Sequence, residues 1–128
     1  MPQLAGQFDL SLSTRADGHD YFRISGTVGH IRVEGGTTPT LLYGVNWYLK
    51  YVAHLQISTN GLQLGGPGLR LPAPAEPIEK PALYRWRYAL NENVDGYSAP
   101  YWDQRRWQRE IDILAMSGTN ARSEGAHV

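Results

Sequence analysis

Along the first part of the chain, apolar residues recur at every second position. Phe8, Leu10 and Leu12 alternate with polar residues, Arg15-Ala-Asp-Gly18 supplies turn chemistry, and Tyr21-Phe-Arg-Ile24 resumes the rhythm, so the pattern predicts a hairpin. A turn around Gly26 and Gly29 leads into His30–Glu34, where Ile31 and Val33 stand two apart and predict a third strand. The period then changes. Leu41, Leu42, Val45, Leu49 and Val52, with Tyr48 beside them, recur at helical spacing and predict a helix from about Pro39 to His54 that packs one stripe on the sheet. Thr38 reads as its N-cap, with the Pro39 ring in the first turn. Two more β-rich runs, Leu55–Ser58 and Gly61–Leu64, flank Asn60-Gly61, a favoured tight-turn pair.

From Gly65 to Pro81 the chain is dense in glycine and proline. Pro67, Pro72, Pro74, Pro77 and Pro81 forbid a regular helix or a central strand, so this stretch reads as a connector. Beyond it, Tyr84–Tyr88 alternates like a strand and Asn91–Pro100 is a polar loop. A helix follows from about Tyr101 to Met116, with Trp107, Ile111, Leu114 and Ala115 as its apolar face and Gly118 as its terminator. The expected class is α+β: a small sheet with one packed helix over residues 1–71, a Pro-rich linker over 72–83, and a strand-loop-helix unit over 84–128. A lone unit of that kind cannot bury both of its faces. Residues Phe8–Leu71 are therefore expected to fold on their own, and those after Leu83 to be loosely held or packed on the small domain in a non-barrel arrangement.

A chain of 128 residues accommodates one domain, or a small domain and the start of another, but not a complete barrel enzyme of about 250. Twelve basic residues balance twelve acidic ones, leaving no net field to draw the chain onto nucleic acid or an anionic membrane. The absence of cysteine excludes disulfides, thiolate metal ligation and a cysteine nucleophile. No apolar run approaches the roughly 18 residues of a membrane span, and no basic-then-apolar leader is visible.

Several candidate sites reduce to ordinary structure. His19, His30, His54 and His127 lack the spacing of a metal site, and Pro67 removes a donor where Gly65-Gly66-Pro67-Gly68 would cradle phosphate. Asp17 and Asp20 read as turn carboxylates that accept backbone hydrogen bonds. Arg105, Arg106 and Arg109 interleave with Glu110 and Asp112, as on a solvated or a salt-bridged helix face.

The aromatic segment Tyr97–Trp107 is different. Rings cover the apolar face of a pyranose while nearby amide, hydroxyl and carboxylate groups take its hydroxyls; the competing reading is that Trp102 and Trp107 are core packing. The run Arg87-Tyr88, Asn91, Tyr97-Ser98, Trp102-Asp103, Arg106-Trp107-Gln-Arg-Glu110-Ile-Asp112 and Ala115-Met-Ser-Gly118-Thr-Asn120 resembles the start of the catalytic barrel in family 89 glycoside hydrolases, the α-N-acetylglucosaminidases. Leu69-Arg-Leu-Pro72 resembles, more weakly, the exit from that family's small N-terminal domain.

The resemblance implies three domains, a small α+β domain, a (β/α)8 barrel and a helical C-terminal domain, of which this chain holds the first and one βα unit of the second. It implies retaining hydrolysis of terminal α-linked N-acetylglucosamine from glycans such as heparan sulfate, without cofactor or metal. The partners would be the glycan and the remaining domains of the same chain, in a secreted, periplasmic or lysosomal setting. Asn91 and Tyr97, on the loop after the barrel strand, and Trp102, at the helix start, are the candidate pocket-wall residues. The family's two working glutamates would lie beyond Val128, so Glu92 and Asp95 are not assigned catalysis and the chain by itself is expected to be inactive. Glu92-Asn93-Val94-Asp95-Gly96 and Gln104 depart from the family pattern. The alternatives are a non-catalytic carbohydrate-binding module and a structural brace.

Overall fold

The computed structural model describes residues 2–89 and 99–122. A short helix α1 (Pro2–Ala5) precedes strands β1 (Phe8–Leu12), β2 (Tyr21–Thr27) and β3 (His30–Gly35), and then helix α2 (Thr38–Tyr51). Strands β4 (Gln56–Ser58), β5 (Gly61–Gln63) and β6 (Ile78–Pro81) follow. The last part holds β7 (Tyr88–Ala89), a 3₁₀ turn (Ala99–Tyr101), helix α3 (Gln104–Met116) and β8 (Ala121–Arg122).

The main sheet runs β1-β3-β2-β6. The expected hairpin of β1 with β2 does not form. Instead β2 and β3 make the hairpin, pairing Thr27 with His30 across a two-residue turn, and β1 lies parallel to β3 on its other side, Phe8 opposite Ile31. The reason is local: a two-residue link closes β2 onto β3 at little loop cost, whereas the link from Leu12 to Tyr21 is long enough to let β1 cross to the free edge. At that edge Leu10 and Leu12 stay exposed, and only Phe8 reaches the core, meeting the Tyr48 ring edge-on with centroids 5.7 Å apart.

The linker expected over 72–83 also needs correction. Ile78–Pro81 is β6, antiparallel to β2, with Ile78 opposite Ile24 and Pro81 opposite Tyr21. Proline is tolerated there because β6 is an edge strand and Pro81 its last residue. Asn60-Gly61 is likewise not the turn pair: Ser58 faces Gly61, so Thr59 and Asn60 make the turn and Gly61 opens β5.

Helix α2 lies across the sheet as the apolar spacing predicts. Leu41, Val45, Tyr48 and Leu49 are buried against Phe22, Ile24, Ile31 and Val33. Its cap is Thr37, not Thr38: the Thr37 side chain accepts the Thr40 N–H, and Pro39 sits in the first turn. Gly44 marks the closest approach, because a Cβ there would lie 2.9 Å from Val33 Cγ1 and 3.0 Å from Phe22 Cβ. The segment Leu69–Pro72 is strapped to this body. The Gln7 amide donates to Leu69 O (2.9 Å) and accepts the Leu71 N–H (2.8 Å), Leu71 is fully buried, and the Tyr48 hydroxyl donates to Pro72 O (2.6 Å).

Helix α3 packs on α2, and the Asn46 amide donates to Met116 O at 2.9 Å. Its buried residues are Glu110 and Ile113, with Met116 against the core; Ile111, expected on the packed stripe, is 49% exposed. The helix thus uses one face on the small domain while Ile111 remains open on another.

Candidate functional site

The carboxyl-terminal segment is a strand-helix-strand unit. β7 and β8 pair in parallel, Tyr88 with Ala121 and Ala89 with Arg122, and α3 makes the crossover that parallel strands require. Both strands end on the same side, and the chain after Ala89 leaves from that end. In sheets and barrels of parallel strands, ligands bind outside the carboxyl ends.

Asn120 ties the two strands. Its Oδ1 accepts the Arg87 N–H (2.7 Å), its Nδ2 donates to Arg85 O (2.7 Å), and its own N–H donates to Arg87 O (3.0 Å). The turn before it is a full helix-stop motif. Thr119 N–H returns to Leu114 O and Gly118 N–H to Ala115 O, with Gly118 at φ 91°, which favours glycine. Sequence reading named Gly118 as terminator and found Asn120 only within the family pattern, not for this clasp.

Of the three candidate pocket residues, Asn91 and Tyr97 lie outside the described residues. Trp102 stands directly ahead of Asp103, whose carboxylate accepts the Arg106 N–H (2.8 Å) and caps α3. Trp102 meets Trp107 edge-on, centroids 4.8 Å apart, and the Arg106 guanidinium lies 4.9 Å from its ring centroid. Partners from the first turn of the following helix therefore hold Trp102. Arg106 also pairs with Glu110 at 3.8 Å, in keeping with the salt-bridged face. Among the described residues no group of three or more His, Asp or Glu could hold a metal ion.

The most elaborate polar cluster is one that sequence reading passed over. Asp17 behaves as a turn carboxylate: it accepts the His19 N–H (3.1 Å), and that bond, with the nearby Arg15 charge, lowers its pKa. Asp20 does more. Its Oδ1 accepts the Tyr21 N–H (3.0 Å), while Oδ2 takes the hydroxyls of Thr37 (3.0 Å) and Thr40 and lies 3.4 Å from Arg87 Nη2. Arg87 further donates to Thr40 Oγ1 (2.9 Å), to Gly118 O through Nε (2.6 Å) and to Tyr84 O through Nη1 (2.8 Å).

Residues 1–73 match the family model for the alpha-N-acetylglucosaminidase (NAGLU) N-terminal domain, and residues 87–124 that for its TIM-barrel domain. The chain belongs to the α-N-acetylglucosaminidase family. It is 32% identical over 125 residues to the human alpha-N-acetylglucosaminidase, an alignment that covers 93% of this chain and 16% of that protein. Among solved structures it resembles a family 89 glycoside hydrolase from Clostridium perfringens in complex with PUGNAc, with TM-score 0.83 and 27% identity. The same similarity holds to a Clostridium perfringens family 89 structure in complex with its substrate GlcNAc-alpha-1,4-galactose. Each of these matches covers 91% of this chain and 13% of the other. The chain thus spans about 13% of the length of these solved relatives. No helix among its described residues is long and apolar enough to cross a membrane.

Proposed function

We propose that this chain supplies the N-terminal domain and the first βα unit of the catalytic barrel to a retaining α-N-acetylglucosaminidase, and that by itself it does not hydrolyse glycans. The observation that carries this reading is the parallel β7–β8 pair with α3 as its crossover, in a segment that matches the family's barrel domain and leaves its aromatic surface bare. Within that segment Tyr88 is 60% exposed, Tyr101 87% and Ile111 49%, large apolar side chains open to partner elements.

On this reading the loop after Ala89, with Asn91 and Tyr97, walls the sugar site at the carboxyl end of the first barrel strand, and Trp102 braces it. Terminal α-linked N-acetylglucosamine, as in heparan sulfate, is the substrate. The acid and the nucleophile, two carboxyl groups about 5–5.5 Å apart in a retaining enzyme, come from elsewhere in the enzyme. A wall without reactive groups positions substrate but transfers no proton and forms no glycosyl bond, hence no turnover. The engagement of Trp102 by Trp107 and Arg106 gives no support to a stand-alone binding platform built on that ring.

The test is a chimera in which residues 1–122 replace the matching segment of the Clostridium perfringens enzyme. A folded chimera that cleaves GlcNAc-α-1,4-galactose, and loses most activity with Asn91→Ala, is the expected result. Turnover by the isolated chain, or a folded chimera indifferent to both Asn91→Ala and Tyr97→Ala, would overturn the reading.

A further inference from the structure

The Asp20–Thr40–Arg87 cluster joins residues that sequence separates widely and that three elements bring together. Asp20 stands just before β2, and its carbonyl accepts the Ala82 N–H (2.8 Å) where the chain leaves β6. Thr40 lies in the first turn of α2 and is 2% exposed; Arg87 directly precedes β7. The Asp20 and Arg87 side chains are 22% and 21% exposed, so solvent screens them only in part. The hydroxyl of Thr40 has one proton and gives it to Asp20; its lone pair receives Arg87 Nη2. Thr40 therefore relays carboxylate to guanidinium, because the direct Asp20–Arg87 contact of 3.4 Å is long for a charge-assisted bond. The guanidinium also holds Tyr84 O on one side and Gly118 O, at the end of α3, on the other.

We propose that Asp20, Thr40 and Arg87 form a latch that fixes the strand-helix-strand unit on the small domain. Arg87 is its positioning residue, setting where β7 starts and where α3 ends. The small domain is then an alignment jig for the segment after Ala89. That functional consequence rests on the barrel reading, whereas the latch itself is a property of this chain alone and is tested on it.

The experiment is amide hydrogen exchange of the 128-residue chain, comparing peptides from Gln104–Ala121 with peptides from β2 and β3. Arg87→Ala, Asp20→Asn and the near-isosteric Thr40→Val are each expected to speed exchange in Gln104–Ala121 by about tenfold or more, with β2 and β3 still protected. Thr40→Ser, which keeps the relaying hydroxyl, is expected to exchange like the parent. The Asp20→Asn/Arg87→Ala double variant is expected to be no faster than the worse single variant, since both cut one connection.

If Thr40→Val matched Thr40→Ser, the hydroxyl would be mere packing and the latch would fall. Additive effects of Asp20→Asn and Arg87→Ala, or acceleration spread equally over β2 and β3, would overturn it as well. Should Asp20→Asn fail to fold, the Thr40 pair and Arg87→Ala still decide. An inactive chimera beside a confirmed latch would count against the barrel reading alone.

Discussion

Tyr48 concentrates several effects in one side chain. Its ring is fully buried between sheet and strap, its hydroxyl donates to Pro72 O at 2.6 Å, and burial pushes its pKa from 10.0 to about 12. Between these values the unfolded chain releases the proton while the native chain keeps it. Stability is therefore fully present below pH 10 and falls as pH rises toward about 12. Tyr48→Phe is expected to cost about 1 kcal/mol at neutral pH through the orphaned Pro72 carbonyl, and to lose less than the parent between pH 9 and about 11.5 in urea titrations.

Gly118 makes a second residue-scale prediction. Gly118→Ala must hold a left-handed backbone and set its Cβ 3.3 Å from the Tyr43 ring, for a loss of about 1 to 2 kcal/mol in the same titration. Residue roles were legible where they depend on near neighbours: Gly118 as terminator and Asp17 as a turn acid. Asp20 looked identical to Asp17 because its partner Arg87 lies 67 positions away, and no local pattern carries such a pairing.

Among the elements, α2 was the most legible, since its apolar stripe matches one continuous sheet face. Its cap slipped by one residue because Thr37 and Thr38 both precede Pro39, and backbone geometry rather than composition chooses between them. The sheet order was illegible for a deeper reason. Alternation shows that β1 is a strand but not which edge receives it, and a proline-dense stretch hides a short edge strand such as β6.

Gly44 tests the helix–sheet contact. Alanine would gain up to about 1 kcal/mol of helix propensity, but overpacking against Val33 and Phe22 costs about 1 to 3. The expected net effect is destabilisation, read as a lower Tm; an unchanged or higher Tm would mean that the two layers separate freely. The candidate site was the least legible element. The family pattern supplied Asn91, Tyr97 and Trp102, whereas periodicity alone gave α3 a single apolar stripe and missed the burial of Glu110 and Ile113 beside an open Ile111.

At the scale of the molecule, the two matched segments form one packed arrangement in which α3 rests on α2 and Arg87 reaches across to Asp20. Residues 75–77 between the strap and β6 are exposed. A Gly-Ser pair inserted after Ala75 is expected to shift Tm by less than about 2 °C, since modest loop growth costs little. The same insertion after Ala82 is expected to speed exchange in α3 while sparing the sheet, because it lengthens the path from β6 to Arg87.

That contrast follows from where the proline-dense stretch is fastened. Gln7 and Tyr48 pin its beginning and pairing with Tyr21–Ile24 pins its end, so its slack loops outward and supplies no swivel. Freedom between the halves is left to the handful of residues after Ala82, whose own N–H is held by Asp20 O. Evolution could thus lengthen or rewrite the outward bow without tilting one half against the other.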